Sequence, residues 1–333
     1  MQAVLVIFVI ALAVTAVSIP WVRKAAIGLG FVDAPAQRKL HTDPIPLMGG
    51  VAIFGGAMIA VLAFANGLAS SVIGVALALS LVALVGLVDD RIGLPAWAKL
   101  GAQFLAFLVL AYFGIRVQLP IPDALNYLLT FLWLAGISNA INFLDNMDGL
   151  SAGVSAVAAS FMLLLGLQNN QFLVSALAAA ILGSCLGFLR YNFKPAQIFM
   201  GDAGSLFLGF SLAILGLQLR FPGNVSFVTW MVPVFILGLP IFDTTLVVIS
   251  RIRRGVSPNT AGKDHTSHRL VNRGYSQREA VLLLYLITGA FGMIGLFVTK
   301  ATVAEGYLIA AVAAVVALYA IYRLEKEGAA ERP

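Results

Sequence analysis

The sequence predicts an all-α, polytopic transmembrane helical bundle of about eleven spans, with its N-terminus outside and its C-terminus in the cytoplasm. Three observations predict it. Of 333 residues, 60% are hydrophobic and only 11% are charged, whereas a soluble domain carries about a quarter charged residues. The apolar residues fall in runs long enough for a hydrocarbon core about 30 Å thick, which roughly 20 helical residues cross. The basic residues alternate in step with those runs. The length rule for soluble domains does not apply. The chain reads as one integral membrane domain over residues 1–323, followed by a short cytoplasmic tail at 324–333.

The first run, 2–22, has no basic residue before it and no small-residue cleavage site, so it reads as a retained span and not a removed signal peptide. Runs 46–66 and 69–88 follow with almost nothing between them, and the second ends on Asp89 and Asp90. Runs 97–115, 124–142 and 149–167 come next, the last two separated by an acidic turn. Runs 171–190 and 204–219 flank a polar segment that contains Asn192, Phe199 and Asp202. Run 228–250 holds Pro240 and Asp243. Eight helical residues separate Asp243 from Arg251, about 12 Å, so that carboxylate lies inside the span unless the helix breaks near Pro240. Runs 279–299 and 302–322 complete the set.

Alternating these spans from an external N-terminus places all but Arg116, Arg220 and Lys300 of the 21 Lys and Arg residues on the cytoplasmic side, as the positive-inside rule requires. The net charge of +6 is therefore explained by topology and anionic headgroups, not by nucleic acid. Cys185 is the single cysteine, so no internal disulfide is available and nothing indicates redox chemistry. The external connections, near 67–69, 116–123, 168–171, 220–227 and 300–302, are short. The cytoplasmic ones, 23–45, 89–96, 143–148, 190–203 and 251–278, hold nearly all the polar residues. The function is expected to face the cytoplasm.

Eight of the ten aspartates lie in or beside those cytoplasmic segments: Asp33, Asp43, Asp89, Asp90, Asp145, Asp148, Asp202 and Asp264. Adjacent carboxylates at a membrane boundary repel one another and call for a cation or a proton. The bland alternative for Asp89–Asp90, a helix end reaching water, sets carboxylates against the helix dipole. Asp145 and Asp148, with Asn142, would share one face if their turn is helical, and Gly149 and Gly153 would admit close backbone approach to a ligand. A plain turn with an N-cap is the alternative. Asp202 sits where Gly201, Gly204 and Ser205 open a span, a helix N-terminus suited to phosphate. Hard oxygen donors without a cysteine cluster favour Mg²⁺, with Mn²⁺ as a substitute, over zinc. Lys99, Lys194, Arg251, Arg253, Arg254, Lys263 and Arg269 turn this from a bare cation site into one suited to a metal–diphosphate complex.

In the last cytoplasmic loop His265 and His268 are three residues apart and can donate hydrogen bonds or titrate near neutrality. Contact of His265, His268 and Arg269 with phosphate, a zinc pair, and a solvated basic loop are the readings open there. Asp243 is a functional candidate as an intramembrane carboxylate, or a structural partner of the last loop.

These residues form an ordered set. GLVDDRIGLPAWAKLGAQ, NAINFLDNMDGLSAG, YNFKPAQIFMGDAGS, PIFDTTLVVISRIRRG and DHTSHRL, with RKLHTDPIPLMGG at 38–50, together resemble the polyprenyl-phosphate N-acetylhexosamine-1-phosphate transferase superfamily. PIFDT before an arginine cluster, and the HxxH pattern, are similar to the branch that transfers GlcNAc-1-phosphate to undecaprenyl phosphate for cell-envelope polysaccharides such as O-antigen or teichoic acid linkage units. The other branch transfers phospho-MurNAc-pentapeptide. The resemblance implies Asp89, Asp90 and Asp202 as catalytic residues, with Asp202 and Asn192 holding the metal. It implies Lys99 near the diphosphate, Asn142, Asp145 and Asp148 on the nucleotide side, Phe199 stacking on uracil, and His265, His268 and Arg269 as further substrate contacts. Two positions depart from the family pattern: Ser267 stands in place of a histidine and Asn146 in place of a glycine.

The expected reaction takes UDP-N-acetylhexosamine, UDP-GlcNAc in this branch, and polyprenyl phosphate. It releases UMP, with membrane lipids around the protein, a homodimer as a candidate assembly and no nucleic acid. A cation-coupled transporter is the rival class, since it too uses intramembrane carboxylates and broken helices. Among these features only Asp243 and Pro240 favour it. A non-catalytic membrane scaffold is disfavoured by the same clustering of acids at one boundary.

Overall fold

A computed structural model describes residues 1–33, 44–64, 70–260 and 262–330. Asp43, His41 and the first part of the 38–50 motif, residues 38–43, fall outside them. Two compact units are present, Met1–Arg220 and Phe221–Pro333. The described residues are helical almost throughout, and the protein is an all-α polytopic membrane protein.

In the first unit the helices are α1 (Gln2–Leu29), α2 (Gly49–Leu62), α3 (Ser70–Ile92), α4 (Ala96–Tyr112), α5 (Asp123–Leu144), α6 (Leu150–Gln168), α7 (Phe172–Asn192) and α8 (Gly201–Gln218). Two short antiparallel strands, β1 (Val32–Asp33) and β2 (Ile45–Pro46), pair Val32 with Pro46 and Asp33 with Ile45. The second unit holds α9 (Ser226–Thr229), α10 (Met231–Ile236), α11 (Gly238–Arg253), α12 (Thr266–Asn272), α13 (Gln277–Val298) and α14 (Val303–Ala330). Helix α14 thus carries the predicted last span on through residues 324–330.

Each predicted run contains a helix, but not each helix is long enough to cross a membrane. Eight are long and apolar enough, and nine if the bent pair Ser226–Ile236 and Gly238–Arg253 counts as one span. The other two, α2 and α4, have 14 and 17 residues, about 21 and 26 Å of rise. Helix α2 starts late because Met48 adopts a left-handed backbone (φ 84°) that turns the chain out of β2. Helix α4 starts at Pro95, whose extended backbone (ψ 149°) forms its N-cap.

Apolar burial supplies little drive between helices already in lipid, so close backbone approach has to hold the bundle. Small residues provide it. A Cβ on Gly183 of α7 would lie 2.4 Å from the Phe8 carbonyl oxygen of α1, and one on Gly187 would lie 2.6 Å from that of Leu12. A Cβ on Gly50 of α2 would fall 2.1 Å from the backbone nitrogen of Gly204, and one on Gly86 of α3 would fall 2.5 Å from the carbonyl oxygen of Asp202. Helix α8 is the centre of the unit: every residue from Ala203 to Leu215 is buried, and α2, α3, α5, α6 and α7 all pack on it. Its N-terminus is therefore the point where side chains from several helices meet.

In the second unit the expected break in span 228–250 occurs at Leu237, where the helical segments bend by 72°. Pro240 is not the breakpoint. It lies in the first turn of α11, where its missing N–H costs no hydrogen bond. Gly238 fits beneath the Phe291 ring of α13. Helix α13 opens with a capping box in which Ser276 and Glu279 satisfy each other's backbone N–H.

Candidate active site

The site builds outward from the first turn of α8. Gly201 takes a positive φ of 69°, and a Cβ there would lie 2.4 Å from the Asp90 carboxylate. Only glycine leaves that space. Into it Asp90, from the last turns of α3, places both oxygens: Oδ1 accepts the backbone N–H of Asp202 at 2.7 Å and Oδ2 that of Ala203 at 3.1 Å. The α8 N–H groups expected to face a phosphate are thus already occupied by Asp90, a carboxylate at the positive end of the helix dipole.

Asp202 then projects between α4 and α5. Its Oδ2 accepts from Lys99 Nζ at 2.9 Å and its Oδ1 from Asn142 Nδ2 at 2.9 Å. Asn142 also donates to Ser205 Oγ at 2.8 Å. Lys99 bridges to Asp89 Oδ2 at 2.8 Å, and the other Asp89 oxygen accepts the Leu94 N–H. One lysine therefore links the two carboxylates that the sequence placed 113 positions apart, Asp89 and Asp202.

The turn 145–149 is not helical, so Asp145 and Asp148 do not share a helix face as the spacing suggested. Helix α5 ends at Leu144 and α6 begins at Leu150, with Gly149 at φ 78° as its N-cap. Asp148 turns away to the 194–196 segment, accepting the Ala196 N–H at 3.1 Å and pairing with Lys194 at 3.3 Å. Asp145 stays with the cluster. Burial, and then the charges of Asp202, Asp90 and Asp148, push its carboxyl up to about 8. Among the described residues no hydrogen bond to its side chain offsets this.

Asn192, expected as a metal ligand, has a different task. Its Oδ1 accepts the Gly149 N–H and its Nδ2 donates to the Ile198 carbonyl, both at 2.9 Å, with only 4% of the residue exposed. It ties the acidic turn to the irregular segment leading into α8, and its amide is spent on backbone. Phe199 is half-buried, and its backbone bridges Pro46 and Gly49. Among the described residues no group of three His, Cys, Asp or Glu side chains is arranged to hold a metal.

Sequence reasoning missed Ser205 as a partner of Asn142, and a second amide pair nearby. Asn139 Nδ2 donates to Gln103 Oε1 at 2.9 Å, one helical turn from Asn142 on α5 and from Lys99 on α4. The i, i+3 and i, i+4 spacings carried that signal.

His265, His268 and Arg269 belong to the second unit and form a cluster of their own. Arg269 was expected to contact substrate, but its guanidinium is consumed internally. It donates to the Asp264 and Leu324 carbonyls, to Ser250 Oγ, and to Glu325, which is 5% exposed. Arg251 and Arg254 both donate to the Asp264 carboxylate. Burial works to raise that carboxyl, but the Arg251 hydrogen bond and charge outweigh it and hold it below the usual range. Most of the loop's arginines therefore fasten the loop. His268 also departs from expectation: burial, then the charges of His265 and Lys263, push it down to about 4, so it is neutral at physiological pH. His265 directs Nδ1 to Asp243.

The position of Asp145 yields a pH prediction for the protein without divalent cations. Its carboxyl titrates near 3.8 when unfolded and near 8 when folded. As pH rises from about 4 to about 8 the unfolded chain is ionised while the folded one holds its proton, so this group increasingly favours unfolding. Asp145→Asn removes that penalty. It should raise the thermal midpoint more at pH 8 than at pH 5, measured in detergent with EDTA. An equal shift at both values would show that Asp145 does not titrate as the cluster requires.

Comparison with known proteins places these observations. The glycosyl transferase family 4 pattern matches residues 72–220. A Bacillus subtilis (strain 168) protein named probable undecaprenyl-phosphate N-acetylglucosaminyl 1-phosphate transferase is 36% identical over 312 residues, covering 91% of this chain and 87% of its own length. The decaprenyl-phosphate N-acetylglucosaminephosphotransferase of Mycolicibacterium smegmatis is 35% identical, covering 82% of this chain and 77% of its own. The undecaprenyl-phosphate alpha-N-acetylglucosaminyl 1-phosphate transferase of Escherichia coli (strain K12) is 25% identical over 82% of this chain and 78% of its own.

Proposed function

The chain belongs to glycosyl transferase family 4, among the polyprenyl-phosphate N-acetylglucosaminyl 1-phosphate transferases, and from that premise we propose that it transfers GlcNAc-1-phosphate from UDP-GlcNAc to undecaprenyl or another polyprenyl phosphate. A phosphate oxygen of the lipid forms a bond to the β-phosphorus of UDP-GlcNAc as the bond to the UMP oxygen breaks. UMP leaves, and polyprenyl-diphospho-GlcNAc remains. One phosphoanhydride replaces another, so the step is near balance. The observation that carries this reading is the convergence of Asp89, Lys99, Asn142 and Asp202 from four helices at the buried N-terminus of α8.

The donor set fits a hard divalent cation. Asp202 and Asp145 are oxygen donors, and the Asp145 carboxyl, raised to about 8 largely by burial and by the charges of Asp202, Asp90 and Asp148, is the kind of group a cation relieves. Mg²⁺ keeps several waters and takes further oxygens from phosphates, so two protein carboxylates suffice. When bound it would neutralise pyrophosphate charge and orient its oxygens.

A general base is not required of Asp89 or Asp90, because a phosphate monoester with a second pKa of about 6 is mostly dianionic at pH 7. Their task is positioning: Asp90 sets the α8 terminus and Asp89 aims Lys99. Catalysis is then placement and charge neutralisation. The basic-residue distribution supports an external N-terminus, a cytoplasmic C-terminus and a cytoplasmic active site in the plasma membrane.

Purified protein given UDP-GlcNAc should release UMP only when polyprenyl phosphate and Mg²⁺ are both present, and EDTA should stop it. UDP-GalNAc and UDP-MurNAc-pentapeptide should be poorer donors. UMP release independent of the lipid, or none at all, would defeat the proposal.

A further inference from the structure

The two side chains that hold the Asp202 carboxylate come from different helices, Lys99 from α4 and Asn142 from α5. The separation of those helices therefore decides whether both reach it. Helix α4 has 17 residues, and its Phe104 and Phe107 rings meet Phe131 of α5. Ring contacts tolerate a range of geometries, whereas a hydrogen bond weakens steeply as its angle closes.

A directional contact crosses the same boundary. Gln103 lies four residues beyond Lys99, and Asn139 lies three before Asn142. Each step is one helical turn toward the middle of its helix, about 6 and 4.5 Å of rise. Asn139 Nδ2 donates to Gln103 Oε1 at 2.9 Å and to the Ala135 carbonyl of its own helix at 2.8 Å. Residues one turn apart share a helix face, so the amide bond and the two contacts to Asp202 lie along one seam.

The amide pair adds little stability. Gln103 is 1% exposed, yet among the described residues its Nε2 meets no acceptor. A buried donor left unpaired costs at least as much as a typical hydrogen bond contributes. A leucine of similar size would carry no such penalty, so stability alone does not account for an amide here. What the amide has over leucine is direction. It fixes the separation and register of α4 against α5 one turn from the point where Lys99 and Asn142 close on Asp202.

We propose that Gln103, bonded to Asn139, is a positioning residue that holds Lys99 and Asn142 on Asp202 for phosphoryl transfer, an inference that rests on the transferase reading above. Gln103→Leu should lower kcat for UMP release roughly 10-fold, with KM for UDP-GlcNAc changed by no more than about threefold. The thermal midpoint in the same detergent should not fall. A contact that serves only the fold gives the reverse, a lower midpoint with kcat per folded molecule unchanged.

Rescue supplies the second arm. Gln103→Asn shortens one side of the bond and Asn139→Gln lengthens the other, so each alone should lose activity. The double variant restores an amide pair of the same combined length and should be more active than either single variant, where independent damage would multiply. If Gln103→Leu does not fold, Asn139→Leu breaks the same bond from α5, and failure of both to fold makes the pair a structural strut and overturns the inference. An unchanged kcat in Gln103→Leu, or a swapped pair no more active than its parents, also overturns it, while UMP release by the unmodified protein leaves the transferase reading intact. No UMP release from the unmodified protein overturns that reading and the inference with it.

Discussion

Asp202→Asn lowers kcat for UMP release by roughly 10³-fold at saturating Mg²⁺, while the thermal midpoint moves by only a few degrees. The asymmetry follows from what the carboxylate touches. Its two oxygens accept from Lys99 and Asn142, each at 2.9 Å. An asparagine has one acceptor oxygen, so its amide nitrogen must face one of these donors, and the negative charge is gone. Lys99 keeps its 2.8 Å contact to Asp89, and the pair it loses is partly exposed, with side chains 21% and 28% accessible. Such a pair is worth about 1 kcal/mol or less to the fold. The loss therefore falls on charge placement at the reacting diphosphate. Asn142→Ala, which leaves the charge and removes one donor, should cost only about tenfold. The check is steady-state UMP release beside thermal unfolding in the same detergent. Near-normal turnover in Asp202→Asn would remove that residue from the reaction.

How much of this was legible beforehand depends on the range of the interaction concerned. The helical runs were legible because apolar runs report the bilayer directly, but their number overstated the spans, since α2 and α4 are too short to count. That Asp89, Asp90 and Asp202 belong to one cluster was legible because carboxylates at a membrane boundary have few bland explanations. What stayed hidden was pairing at long sequence separation. Arg269 read as a phosphate contact because Glu325, its partner, is 56 residues away. Arg251 and Arg254 read the same way, although Asp264 lies 13 and 10 residues on, because the loop between them had no visible path. Asp145 and Asp148 share a motif but not a helix face, since Gly149 at φ 78° replaces the helical turn their spacing implied. The bent span does break near Pro240, at Leu237, and proline in the first turn of the following helix is compatible with that helix. Asn192 looked like a ligand, and its real partners are backbone groups that no side-chain pattern advertises.

Gly201→Ala carries the second large effect, and it separates two tasks that a substitution of Asp90 would confound. The added methyl meets two obstacles. A non-glycine residue at φ 69° costs about 1–2 kcal/mol. The Cβ also falls 2.4 Å from the Asp90 carboxylate, inside any real contact distance, so Asp90 must withdraw from the Asp202 and Ala203 N–H groups. Losing that cap costs about 0.5–2 kcal/mol more, for a total of about 1.5–4 kcal/mol. Backbone and side chain of Asp202 move together, so its distances to Lys99 and Asn142 change as well. A misplacement of about 1 Å at a catalytic group costs roughly 10²-fold in rate. The expected result is a lower thermal midpoint together with a kcat reduced about 100-fold, although every acidic and basic group of the cluster is still present. Asp90→Asn supplies the comparison. It keeps Gly201 and the space, and a neutral amide oxygen can still accept one of the two N–H groups, so it should lose stability but retain more activity than Gly201→Ala. If Asp90→Asn were instead the more damaging to kcat at equal stability, the carboxylate's charge would be acting on the substrate itself, and the positioning role assigned to Asp90 would fail.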